Sequence, residues 1–145
     1  MTLKVKKLRA HAILPRKGTD GASGYDLFAC IDEESLTLQK DGNPQRVMTG
    51  IAIEIPPGFD AQVRPRSGLS LKGVGVTLGT IDSDYRGELM VTMYLFGSQP
   101  SFTINHGDRI AQLVISRLAD VALEEVEEIS PTQRGDAGHG STGMK

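Results

Sequence analysis

RVMTGIAIEIPPGFDAQVRP, residues 46–65, decides the fold class. Ile51, Ile53 and Ile55 recur at every second position, the period that puts side chains on one face of an extended strand. Pro56, Pro57 and Gly58 then break any regular element, and a second short run from Asp60 to Pro65 follows with Ala61 and Val63 in step. Outward from this stretch the pattern repeats. LKVKKL (3–8), ESLTLQ (34–39), LMVTMYLF (89–96), SFTI (101–104) and IAQLVISRL (110–118) read as strands. PRKGTDGASG, KDGNP, RSG, DSDYRG, GSQP and NHGD between them carry turn chemistry. Many short strands joined by short turns predict an all-β sandwich or barrel. LADVALEEVEEI (118–129) fits helical and strand periods equally, so its conformation stays open. From Pro131 the periodicity is gone, which divides the chain into a β domain over residues 1–130 and a glycine-rich C-terminal arm over 131–145.

A chain of 145 residues fits a single domain. Its 16 Lys and Arg against 18 Asp and Glu leave a net charge of -2, which argues against a general nucleic-acid surface but allows a local basic pocket. Cys30 permits no internal disulfide and is expected to be a buried small apolar residue, while His11, His106 and His139 are scattered without zinc spacing. MTLKVKKLRA is basic but is not followed by the apolar core of a signal peptide, and no apolar run approaches the ~18 residues of a bilayer span. The expectation is a soluble, intracellular (cytoplasmic) protein with neither membrane nor nucleic acid as partner.

Five stretches can carry chemistry, and each also has a plain structural reading. RPRSGLS (64–70) places two arginines and two hydroxyls around a glycine, suited to phosphate oxygens or to an ordinary exposed turn. GTIDSDYRGE (79–88) sets Asp82 where a strand can end, either as a general base towards water or as an Asx turn in a β-hairpin. In GYDLF (24–28), Asp26 sits among apolar neighbours and needs an arginine, backbone amides or a hydrated metal as partner. GDRIAQLVI (107–115) feeds Gln112 into a strand, where an amide can also serve a backbone group. RGDAGHGSTGMK (134–145) lacks the pattern of a P-loop and reads on composition as a free terminus.

Taken in order, ASGYDLFAC, RPRSGLS, GTIDSDYRGE, GDRIAQLVI and RGDAGHGSTG resemble the five motifs of the trimeric deoxyuridine triphosphatase (dUTPase) family, over residues 3 to 143. The resemblance implies a jelly-roll-like β fold and a homotrimer with active sites at subunit interfaces. It also implies Mg²⁺-dependent hydrolysis of dUTP to dUMP and pyrophosphate, which keeps uracil out of DNA and supplies dUMP for dTMP synthesis. Asp82 resembles the residue that activates the water attacking the α-phosphate, and Tyr85 the residue packed under the deoxyribose. Gly79, Thr80, Ile81 and Met90 resemble the hairpin that reads the uracil edge. Arg66, Ser67, Gly68 and Gln112 resemble phosphate contacts, and Asp26 the acid that holds Mg²⁺ through water. Arg134, His139, Gly140, Ser141 and Thr142 belong to what resembles a closing lid over the substrate.

The match has departures. His139 stands where relatives usually carry a phenylalanine stacked on uracil; imidazole can also stack, and it changes charge within the physiological pH range. YLFGSQ lacks the asparagine that commonly follows the Leu-Phe pair, and the link from Ser67 to Asp82 is about one residue short. Two rivals share the motifs' fold or ligand: a dCTP deaminase, which needs a pocket glutamate to attack the base, and a trimeric dUTP sensor that signals through a partner. The Asp-Tyr turn and the intact lid favour hydrolysis.

Overall fold

Short alternating runs between proline and glycine breaks become eleven strands and one five-residue helix in the computed structural model, which describes residues 1–140 and 142–144. The strands are β1 (Lys4–Lys7), β2 (Tyr25–Phe28), β3 (Ser35–Gln39), β4 (Gln45–Met48), β5 (Ile51–Glu54) and β6 (Phe59–Arg64). Helix α1 (Ser67–Leu71) follows, then β7 (Val74–Val76), β8 (Gly79–Ile81), β9 (Met90–Leu95), β10 (Ser101–Asn105) and β11 (Arg109–Arg117). A four-stranded sheet runs β2-β11-β6-β8 and a three-stranded sheet β4-β9-β7, with β1-β5 and β10-β3 as antiparallel pairs. The chain is all-β, as alternation and turn chemistry predict, with the jelly-roll-like architecture that the resemblance implies. Leu27, Leu38, Ile51, Leu89, Met93, Ile104, Ile110 and Leu113 fill the core, each under 2% exposed.

RVMTGIAIEI, which reads as one strand, is two. β4 pairs with β9, whereas β5 pairs with β1, so the chain changes sheets between them. Gly50, at φ +71, makes the change; a side chain there would press on Ala12 and the Cys30 sulfur, both 2.8 Å from an added Cβ. Buried Thr49 satisfies its hydroxyl by donating to the Leu89 carbonyl at 2.7 Å. β2, β7 and β8 are three or four residues long, too short to show a period. LADVALEEVEEI adopts neither of the two conformations open to it: beyond Leu118, whose N–H donates to the Gly58 carbonyl at 2.9 Å, it forms no strand or helix and is exposed. Cys30 is buried, as expected.

Gly97, which follows the Leu-Phe pair, packs against a second glycine. Gly73 leaves α1 at φ +79, and its carbonyl accepts the N–H groups of Phe96 (2.8 Å) and Gly97 (3.1 Å). The two glycine backbones approach so closely that a Cβ on Gly73 would overlap Gly97 Cα, and one on Gly97 would stand 3.0 Å from Gly73 Cα. Gly73→Ala therefore adds a left-handed penalty and a backbone clash, and is expected to destabilise the fold by about 2–4 kcal/mol. A urea unfolding curve with unchanged midpoint would contradict this reading.

Candidate active site

β11 gathers three of the singled-out stretches. Gln112 pairs in register with Asp26 of β2 on one side and Arg64 of β6 on the other. Its amide donates to the Pro65 carbonyl at 2.9 Å, and an added Cβ at Gly24 would stand 2.7 Å from its Oε1, so glycine there leaves it room. A bulge in the β2–β11 ladder falls between Arg109 and Ala111. Both Ile110 and Ala111 are consequently buried, and Arg109 joins the outer face that carries Gln112.

Asp26 occupies that face with its side chain 16% exposed, while Leu27 beside it points into the core. Arg66 Nε lies 3.5 Å from one carboxylate oxygen and Arg109 Nη1 lies 3.6 Å from the other. Arg66 also donates to the Arg109 carbonyl at 3.2 Å. Both ion pairs are longer than a direct hydrogen bond, which leaves guanidinium N–H groups for another acceptor. Two cations against one anion make this patch locally positive in a chain that is slightly acidic overall, and Ser67 and Gly68 open α1 beside it with first-turn amides that have no intrahelical acceptor. Arg109 is a member that the sequence reading did not select, because only the bulge turns it outward.

The second cluster surrounds the end of β8. Asp82 follows Ile81 directly and is exposed; its carbonyl accepts the Tyr85 N–H at 3.1 Å, closing a turn. The Tyr85 hydroxyl donates to the Glu88 carbonyl at 3.0 Å. A recess of about 300 Å³ opens here, lined by Gly79, Thr80, Ile81, Asp82, Tyr85 and Met90 among others. Its flanking strands are not a simple hairpin: β8 pairs with β6, whereas β9 belongs to the other sheet. Glu88 anchors the connection, accepting from the Gly50 N–H at 3.0 Å and from Arg9, which also reaches Asp32 at 3.1 Å. Burial opposes the Arg9 charge, but Cys30, Glu88 and Asp32 outweigh it and raise its pKa above the usual value. Arg9 and Glu88 escaped selection in the sequence because their partners lie far away along the chain.

The two clusters do not meet. In the β6–β8 ladder Ala61 faces Ile81 and Val63 faces Gly79, so Asp82 leaves the ladder at the end opposite Arg66. At 3.3 Å per residue the separation along β6 is about 20 Å. The tail forms a third group. Arg134 Nε donates to the Ala137 carbonyl at 2.7 Å, and the Gly135 N–H donates to Thr132 Oγ1 at 3.1 Å. His139 and Gly140 take left-handed φ of 51° and 88° and are exposed, as is Thr142; Ser141 lies outside the described residues.

Comparison with known proteins gives a single answer. Residues 10–143 match the dUTPase family. A deoxyuridine 5'-triphosphate nucleotidohydrolase of Hydrogenobaculum sp. is 51% identical over 149 aligned residues, covering 100% of both chains. Among solved structures, the dUTPase of Staphylococcus bacteriophage 80alpha with dUpNHpp has a TM-score of 0.87 at 30% identity, covering 99% of each chain. A mutant dUTPase of phage phi11 of S. aureus, described with a structural Mg(II) ion, has a TM-score of 0.78 at 27% identity, covering 88% of this chain and 98% of that one.

Gly87 keeps the Tyr85 ring in place, since an added methyl would overlap it. Gly87→Ala is expected to cost about 1–3 kcal/mol, and much less in a Tyr85→Ala background where the overlap is gone. Purely additive effects in that double-mutant cycle would disprove the contact.

Proposed function

The chain belongs to the dUTPase family and hydrolyses dUTP to dUMP and pyrophosphate, and we propose that it does so at sites shared between three copies of itself. One observation carries this reading: Asp82 and Arg66 sit at opposite ends of the β6–β8 ladder, about 20 Å apart. A triphosphate is far shorter than that. The Asp82 of one copy must therefore meet the phosphate patch of another. The segment after β11 supports the same conclusion, since Val121, Leu123, Val126 and Ile129 are 50–98% exposed and call for an apolar partner surface.

In this reading Asp82 accepts a proton from water as the oxygen attacks the α-phosphorus, and the bond to the bridging oxygen breaks to release pyrophosphate. An aspartate is a weak base, so placement and charge stabilisation contribute more than basicity. The recess formed by Gly79, Thr80, Ile81 and Met90 takes uracil, and Tyr85 packs under the deoxyribose. Arg66, Ser67, Gly68 and Gln112 hold the phosphates, and Arg109 extends that set. Arg134, His139, Gly140, Ser141 and Thr142 close over the substrate as a lid within residues 131–145, capping a β domain over 1–130. The product supplies dUMP to nucleotide metabolism inside the cell.

Asp26 is the acid that would hold Mg²⁺ through water. It fits: one carboxylate without a cage of further acids suits an ion that keeps several waters and takes its other ligands from phosphates. When bound, Mg²⁺ supplies charge neutralisation along the triphosphate. The neighbouring Arg66 and Arg109, at 3.5 and 3.6 Å, flank the Asp26 carboxylate and orient it.

Asp82→Asn is expected to lower kcat for pyrophosphate release by about 10²–10⁴-fold with the KM for dUTP nearly unchanged. Retained kcat would remove Asp82 from its role. Asp82→Asn and Arg66→Ala chains, each inactive alone, should recover about a quarter of wild-type activity when co-assembled one to one, because some sites then draw both intact residues from different copies. Mixed assemblies without recovered activity would show that the sites are not shared.

A further inference from the structure

Two histidines without zinc spacing in sequence come together in the fold. β1 leads into the turn that carries His11, β2 continues to Cys30, and His106 lies between β10 and β11. The imidazole centroids are 5.1 Å apart, and one donor atom from each of His11, Cys30 and His106 lies within 4.8 Å of the other two. None of these residues takes part in the dUTP site described above.

The hydrogen bonds around the cluster define its lone pairs. His11 Nε2 is 2.8 Å from Asp32 Oδ1, which turns its Nδ1 away from that carboxylate and leaves Nδ1 as the nitrogen for a cation. This carboxylate–histidine pairing commonly orients a metal ligand. His106 Nδ1 accepts the Ile31 N–H at 3.3 Å, and this long bond gives up little if exchanged for coordination. The Cys30 side is closed and buried, while His11 and His106 are exposed and free to adjust.

We propose that His11, Cys30 and His106 form a binding site for a borderline-soft divalent cation of the zinc type, with Asp32 as the group that orients His11. Donors around tetrahedral zinc stand roughly 3.5 Å apart, so small rotations of the two exposed histidines close the set, and water takes the fourth position. Binding exchanges the thiol S–H bond for a sulfur–metal bond and releases the proton to solvent. The site is separate from the proposed Mg²⁺ position, whose donors are oxygen.

Cobalt(II) chloride added to the full-length protein tests this directly. The expected result is a thiolate-to-cobalt charge-transfer band with intense visible bands of tetrahedral cobalt, all displaced by zinc and absent from Cys30→Ser. Asp32→Asn should keep the spectrum while weakening affinity by roughly 10–100-fold. The double variant His11→Ala, His106→Ala changes only exposed side chains and should lose the tetrahedral bands, even if Cys30→Ser fails to fold. No thiolate band at saturating cobalt, a band that survives Cys30→Ser, or an unchanged spectrum in the double histidine variant overturns the proposal.

Discussion

β11 is the constraint on which the remaining architecture depends. Its Gln112–Leu113 segment is hydrogen-bonded on both edges, to β2 and to β6, while Ala111 and Leu113 are fully buried beneath it. A strand paired along both edges cannot slip by one residue without turning its apolar side chains out of the core. Register is therefore fixed by burial, and the outer face inherits that precision. Gln112, Asp26 and Arg64 are neighbours because Leu113, Leu27 and Val63 must point inward.

The same rigidity that assembles the patch of Asp26, Arg66 and Arg109 keeps it away from Asp82. β6 carries the patch at its C-terminal end, and its antiparallel partner β8 delivers Asp82 at the other. No loop motion carries Asp82 back the roughly 20 Å along the extended chain to Arg66 without breaking the β6–β8 pairs. The proposed sharing of a site between copies is compatible with an intact sheet. On the proposed reading, the exposed Asp82 is shielded from water only once a neighbouring copy and the C-terminal arm cover it.

The fold class and the order of the motifs were legible in the sequence because alternation and turn chemistry are local properties. The boundaries of β6, β9, β10 and β11 followed from them to within a residue or two. What escaped depends on distant pairing. β2, β7 and β8 are too short to show a period, and the β4–β5 break is enforced by Gly50 pressing on Ala12 and Cys30. Alternation alone would turn Arg109 towards the core with Ala111; a bulge reverses it. Asp26, Arg66 and Gln112 do converge, whereas nothing local could reveal that Asp82 leaves at the far end of the ladder.

The histidine–cysteine cluster stands close in sequence to Asp26 and Arg109, and this has a mechanical consequence. Gly107 N–H donates to the Ala29 carbonyl at 2.9 Å, and Ala29 N–H donates to the Asp108 carbonyl at 2.8 Å. Those bonds tie the segment after β2 to the turn before β11. Cys30 and His106 flank that tie, four residues after Asp26 and three before Arg109 in the chain. A cation joining Cys30 to His106 would fasten the same two segments covalently at the point where backbone pairing ends, beside the bulge that aims Arg109. Stiffness there acts on the spacing of Asp26 and Arg109 without touching substrate. On that proposal, a position outside the patch of Asp26, Arg66 and Arg109 sets how well the patch is oriented before a ligand arrives.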